Sequence, residues 1–105
     1  MLFDREIQIL NILWNADTEL TSADIVEAGE RLSQSTVQAV LRKLLAQEIV
    51  EVASVTHSGN VLSRASRPTD KSRELALQQI EDYVTCMDHL IGDEKAALII
   101  NAIRS

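Results

Sequence analysis

Cysteine, glycine and aromatic residues are scarce in this chain of 105 residues, and each scarcity excludes a class of protein. A single cysteine, Cys86, permits no internal disulfide and predicts a reducing, cytoplasmic setting. Three glycines leave no room for a phosphate-cradling loop or a dinucleotide fingerprint. Three aromatics, Phe3, Trp14 and Tyr83, are too few for recognition of single-stranded nucleic acid by base stacking. Long apolar runs are also missing. The longest, residues 96–100, is far too short to span a bilayer, so no membrane association is expected. The opening Met1-Leu2-Phe3-Asp4-Arg5-Glu6 has no basic stretch followed by an apolar one, so no signal peptide is expected. Internal repeats and low-complexity segments are absent.

What is present is the balance of an ordinary globular chain, 46% hydrophobic and 25% charged. The length predicts one domain, or one domain with a short appendage, whose modest core oligomerisation would supplement. The net charge of −6 taken whole argues against nucleic acid, but its distribution does not. Residues 31–67 carry five basic side chains (Arg31, Arg42, Lys43, Arg64, Arg67) against Glu48 and Glu51, a local +3 that leaves −9 for the two ends. A basic centre with acidic flanks suits a protein that presents one face to phosphate.

The most informative segment is 32–55. Ser33 reads as the cap of a helix over residues 34–47, and Val37, Val40, Leu41, Leu44 and Leu45 occupy one of its faces. Ser35, Thr36, Ala39 and Lys43 lie roughly opposite, flanked by Gln38 and Arg42, with no acid from residue 33 to 47. Such a face approaches a groove closely, offers hydroxyl and amide groups to base edges, and sets cations against the backbone. Residues 49–55 alternate as a strand, His57-Ser58-Gly59-Asn60 supplies a turn, and residues 61–66 return before Pro68. A wing over residues 50–66 then offers Arg64 and Arg67 near its base, with His57 in the turn.

Upstream, Phe3, Ile7, Leu10, Leu13 and Trp14 give residues 4–16 a core-facing helical stripe, with Asp4 placed as cap. Glu19-Leu20 suggests a brief extra strand. Thr21 to Asp24 forms a capping box that opens a second helix, where Ala23, Ile25, Val26 and Ala28 are expected inside and Gly29 at the end. Downstream, a helix from Thr69 or Asp70 to Gly92 carries Leu77, Ile80, Val84, Met87 and Ile91 at intervals of three and four. Ala76, Tyr83 and Leu90 widen this heptad seam on one side. Asp93 is expected to cap a last helix bearing Ala97, Leu98, Ile100 and Ile103. Together these predict a mostly α chain with a small β-wing: a winged helix-turn-helix over residues 1–68, followed by dimerisation helices over 69–105. The expected dimer residues are Leu77, Ile80, Tyr83, Val84, Met87, Leu90 and Ile91, because a small winged-helix core is already filled without them.

Several of these residues resemble the penicillinase-repressor family of the BlaI, MecI and CopY type. They are Ile9-Leu10-x-x-Leu13-Trp14, Thr21-x-x-Asp24-Ile25, and Ser33-x-Ser35-Thr36-Val37 with Lys43-Leu44. The resemblance covers about the first two-thirds of the chain. It implies a bacterial repressor, homodimeric through its C-terminal helices, that binds a dyad-symmetric double-stranded operator with Ser35, Thr36, Gln38 and Arg42 in the major groove. Gln47-Glu48 stands where the family usually has Lys-Gly, which weakens the expected helix stop. The wing carries Val61 and Leu62 where the family often has tyrosines. The family's Asn-Phe cleavage bond and its C-terminal cysteine cluster have no counterpart, since the only Phe is Phe3 and the only Cys is Cys86.

The expected DNA-binding residues are therefore Ser33, Gln34, Ser35, Thr36, Gln38, Ala39, Arg42, Lys43, His57, Arg64 and Arg67. No cofactor is expected. Cys86 and His89 make half a zinc site on one helix, but both fall away from the seam, so no metal is assigned. Nothing places a base or an oxyanion donor beside Cys86, and no enzyme is expected. The competing reading is an acidic winged-helix module that binds protein and has lost DNA.

Overall fold

In the computed structural model, residues 1–58 and 61–105 are described, and the chain is mostly helical with a two-stranded antiparallel hairpin. It divides into two compact units, Phe3–Ser72, and Arg73–Ser105 together with Met1–Leu2.

The larger unit begins with α1, Asp4–Asn15. Phe3, rather than Asp4, is its N-cap, and the Glu6 carboxylate accepts the Phe3 N–H at 3.1 Å. The buried side of α1 is formed by Ile9, Leu10 and Leu13, whereas Phe3, Ile7 and Trp14 are exposed. The stripe is rotated from the expected one, with Ile9 rather than Ile7 inside, and Trp14 donates its indole N–H to Ser72 Oγ at 2.7 Å. After one bridge between Leu20 and Ser66, all that forms of the expected extra strand, α2 runs Ser22–Ala28. Its capping box is made in full: Thr21 Oγ1 accepts from Asp24 N–H, and the Asp24 carboxylate accepts from Thr21 N–H. Only Ile25 is buried on this helix, while Ala23 and Ala28 are exposed, since a seven-residue helix turns one narrow edge inward. Gly29 closes α2 with ordinary extended backbone. Glycine also gives room there: a Cβ would stand 2.2 Å from Leu32 Cδ1, and the Leu32 side chain would have to move.

The next helix, α3, covers Gln34–Ala46 and is capped by Ser33, whose hydroxyl accepts from Thr36 N–H at 3.2 Å. Val37, Leu41 and Leu44 are buried, and Val40 and Leu45 half-buried, as 3.6-residue periodicity requires. Its stop is well made despite the missing glycine. Glu48 N–H donates to Leu45 O at 3.1 Å and Ile49 N–H to Leu44 O at 2.9 Å, the bond pair of a Schellman motif. Leu44 and Ile49, fully buried, form its apolar contact, and Glu48 adopts φ +61° to close it.

Strands β1, Val50–Ser58, and β2, Val61–Pro68, then pair with Val50 opposite Pro68 and a bulge between Val52 and Ser54. Both outrun their expected ends. Gly59 and Asn60, the middle of the expected turn, lie outside the described residues. At the base of the hairpin the Thr69 hydroxyl donates to the carbonyls of Glu48 and Ile49, tying the exit of β2 to the end of α3. Ile9, Ile25, Val37, Leu44, Ile49 and Val50 complete an apolar core between the three helices and the hairpin.

Helix α4, Asp70–Cys86, starts in this unit and continues into the second. It does not reach Gly92 unbroken. At Met87 the N–H is shared between the carbonyls of Tyr83 and Val84 and ψ opens to 16°, leaving Asp88–Ile91 as a single turn, α5. Gly92, at φ +101°, separates this turn from α6, Asp93–Arg104. The last helix is therefore capped by Gly92, with Asp93 inside its first turn, where a carboxylate still faces the positive helix end. Arg104 bonds Glu74 at 2.8 Å and Glu81, fastening α6 to α4. Gln79 accepts from the N–H of Leu2 and donates to its carbonyl. No helix among the described residues is long and apolar enough to cross a membrane.

Candidate nucleic-acid interface

Two elements of the larger unit carry the expected DNA-binding side chains, and the fold uses some of them for itself. The first turn of α3 is held by its own polar groups. Ser33 Oγ donates to Thr36 Oγ1 at 2.8 Å and lies 3.3 Å from Ser35 Oγ, while Gln34 Nε2 donates to Ser22 Oγ at 2.6 Å. Ser33, Gln34 and Thr36 therefore shape the entrance of the helix and join it to α2. Beyond them Ser35, Gln38, Ala39 and Arg42, spaced three, four and seven apart, form one exposed strip on α3. Among the described residues, neither Gln38 nor Arg42 has a bonded partner. The strip is acid-free and presents hydroxyl, amide, methyl and guanidinium groups in sequence.

Lys43, one turn after Ala39 at the edge of that strip, is engaged by an acid. Its ammonium lies 2.5 Å from the Glu6 carboxylate, which is only 5% exposed, and 5.0 Å from the centre of the Phe3 ring. Burial raises the Glu6 pKa, but the Lys43 ammonium and the Phe3 N–H more than offset this and hold it below the ordinary 4.5. Arg67 is likewise engaged. It sits opposite Glu51 in the hairpin register and bonds its carboxylate at 2.6 Å, which raises the Arg67 pKa. Glu19 stands close enough to contribute to that shift, and its own pKa is lowered, first by its backbone N–H and then by the hydroxyls of Thr18 and Ser54.

On the hairpin, Val55 pairs with Arg64 and His57 with Leu62, so all four share one face, exposed to solvent. Arg64 has no ion pair among the described residues. This face is cationic and apolar, and no acid lies on it.

Sequence reasoning thus identified Gln38, Ala39, Arg42, His57 and Arg64 as exposed residues of the two elements, and over-counted the unpaired cations. It missed the carboxylates that neutralise two of them. Glu6 lies 37 residues from Lys43, and no local pattern links the two. Glu51 was legible in principle, as the cross-strand neighbour of Arg67, once the register was known. Arg31, counted only in the charge balance, stands exposed in the turn before α3 at φ +57°.

The expected dimer residues are placed unevenly. Val84 is buried within the chain, Leu77 and Ile91 are half-buried, and Ile80, Tyr83, Met87 and Leu90 are exposed. Leu98 and Ile99 of α6 are exposed apolar residues that the seam did not include. Cys86 is exposed. His89 lies with Asp88 and Asp93, three ligating side chains within 4.8 Å of one another at the surface.

The family described as penicillinase repressor matches residues 2–97. Among solved structures, the chain is similar to a possible HxlR family transcriptional factor from Thermoplasma volcanium. The TM-score is 0.54 at 19% identity, over 82% of this chain and 75% of that one. It is similar to a protein of Archaeoglobus fulgidus, with TM-score 0.53 and 23% identity, over 83% of this chain and 92% of that one. A PadR family transcription regulator from Clostridium difficile gives TM-score 0.53 at 17% identity, over 83% and 97%. At these identities the likeness is one of fold. No curated protein matches the chain.

Proposed function

Because the chain belongs to the penicillinase-repressor family, and is accordingly a winged-helix transcriptional regulator that binds DNA, we propose that it acts as a homodimeric repressor of a dyad-symmetric operator. In this reading α3 enters the major groove, with Ser35, Gln38 and Ala39 toward base edges and Arg42 toward phosphate. The hairpin lies beside it, with Arg64 and His57 on the flanking backbone. The acid-free strip of Ser35, Gln38, Ala39 and Arg42 carries the proposal, since an ordinary solvent-facing helix of this length would bear acids. Dimerisation supplies the spacing, because two recognition helices about 34 Å apart meet successive major grooves. The exposed apolar residues Ile80, Tyr83, Met87 and Leu90 support it. The role is one of binding, with no catalytic step.

The test is binding of the protein to duplex DNA from upstream of its own coding sequence, across a salt series. Arg42→Ala is expected to weaken binding to all sequences and to flatten the salt dependence by about one unit per lost phosphate contact. Gln38→Ala is expected to relax preference at particular base pairs, and uniform weakening of every operator variant would remove Gln38 from base reading. The pairing of Lys43 and Arg67 with carboxylates favours one second reading, an acidic module that binds protein. Failure to bind any duplex at low salt would select it.

A further inference from the structure

The Glu6–Lys43 pair links the recognition helix to α1, with Lys43 one turn beyond Ala39 at the edge of the exposed strip. Glu6 Oε1 accepts from Lys43 Nζ at 2.5 Å and Glu6 Oε2 from Phe3 N–H at 3.1 Å, so both carboxylate oxygens are engaged. The Phe3 ring covers a further side of the ammonium at 5.0 Å. A lysine so neutralised adds almost nothing to the positive potential that draws in phosphate. What it adds is direction. The buried stripe of Val37, Leu41 and Leu44 sets which face of α3 meets the core, but apolar contacts tolerate small rotations about the helix axis. Two side-chain bonds are directional: Gln34 to Ser22 in the first turn, and Lys43 to Glu6 toward the last. One ties α3 to α2 and the other ties it to α1, so together they limit the roll that the apolar contacts leave open. Roll decides where Gln38, Ala39 and Arg42 point.

We propose that Glu6 and Lys43 are positioning residues for DNA reading, a tether that sets the roll of α3, and that Lys43 does not touch phosphate. The proposal rests on the role assigned to α3 above. It differs from the expectation drawn from charge alone, which counted Lys43 among the phosphate contacts. It also gives the exposed Phe3 a purpose, since its backbone N–H and its ring hold the two members of the pair in place.

The experiment compares wild type, Arg42→Ala, Lys43→Met, Glu6→Gln and the Lys43→Met/Glu6→Gln double variant. Each is titrated across a salt series with a duplex of its own upstream region and with a random duplex of equal length. Thermal melting by circular dichroism verifies that each variant is folded. Arg42→Ala should lower the salt slope by about one unit per protomer. Lys43→Met and Glu6→Gln should leave the slope unchanged and each reduce the ratio of own-region to random affinity by about tenfold, with the double variant no worse than either single one. Glu6→Gln is decisive. Were Lys43 a phosphate ligand restrained by Glu6, removing that charge would tighten binding and steepen the slope. Either that result, or a slope loss in Lys43→Met equal to that of Arg42→Ala, overturns the proposal.

Amide hydrogen exchange gives a second readout that needs neither DNA nor the Lys43 variants. In Glu6→Gln, amides of residues 42–46 should exchange about tenfold faster while those of the β1–β2 ladder do not change. Unchanged protection in residues 42–46 overturns the tether. A wild type that binds no duplex at low salt would instead overturn the repressor reading, and the exchange pattern would still decide whether the pair holds α3.

Discussion

The two compact units of this chain are built on opposite terms. In Phe3–Ser72 the large apolar side chains close on one another, and Ile9, Ile25, Val37, Leu44, Ile49 and Val50 have almost no exposure. In Arg73–Ser105 with Met1–Leu2, only Leu2, Val84 and Ala96 are buried apolar residues, while Leu90 is 86% exposed and Leu98 67%. One unit encloses an apolar core of its own. The other holds its helices by polar fastenings, Arg104 to Glu74 and Glu81 and Gln79 to Leu2, and leaves its apolar residues outward. Exposed apolar surface of this extent marks an interaction site, and this contrast underlies the proposed dimer.

The contrast can be broken most forcefully from inside. Ile9→Ala or Leu44→Ala should destabilise the winged-helix unit by about 2–5 kcal/mol, read as a lower urea midpoint. Equal truncations of Leu90 or Leu98 in the monomeric state should cost under about 0.5 kcal/mol. Comparable costs at both sets would abolish the distinction.

The dimer is tested next. The seam as read from the sequence makes Val84→Asp the obvious disrupting variant, but at 7% exposure Val84 is part of the chain's own interior. A carboxylate there would unfold its surroundings whatever the oligomeric state. Leu90→Asp separates the two effects. It should weaken self-association by about 1–3 kcal/mol while the far-ultraviolet dichroism of the monomer is retained. A sedimentation profile identical to wild type would remove Leu90 from the interface.

A smaller effect is expected where α3 stops. Glu48 holds φ +61°, a conformation that glycine adopts without strain, so Glu48→Gly should stabilise the winged-helix unit by about 0.5–1 kcal/mol. A lower melting temperature would mean that the Glu48 side chain contributes something beyond its backbone.

The mildest probe is pH. The folded pKa values of Glu6 and Glu81 are both depressed: at Glu6 burial raises it but Lys43 and the Phe3 N–H together outweigh burial, and at Glu81 Arg104 lowers it. Stability from a depressed carboxylate is fully present above its unfolded value, here near the ordinary 4.5, and is lost as pH falls through the folded value. Stability should therefore be level from neutrality to about pH 5 and decline below it. Glu6→Gln should flatten part of that decline in the winged-helix unit. An unaltered profile would contradict the pairing with Lys43.

Much of this molecule was legible in local pattern. The Thr21–Asp24 capping box, the Ser33 cap, the buried stripe of Val37, Leu41 and Leu44, and the hairpin closing near Pro68 follow from rules that act over four residues or alternate by two. The exposed strip of Ser35, Gln38, Ala39 and Arg42 follows from the same periodicity, which places it opposite the core.

Other features were settled only by residues distant in sequence. Glu6 meeting Lys43, Trp14 reaching Ser72 and Gln79 holding Leu2 join positions 37, 58 and 77 apart, and composition names no partner across such separations. The interruption at Met87 and the inward turn of Val84 arise from how the C-terminal helices fold back, which the regular heptad spacing conceals. Local chemistry thus determined which elements form and which face of each is apolar, because caps, turns and periodicity are short-range. Tertiary structure decided which charges remain unpaired, because a cation meets phosphate or carboxylate according to what the fold brings beside it.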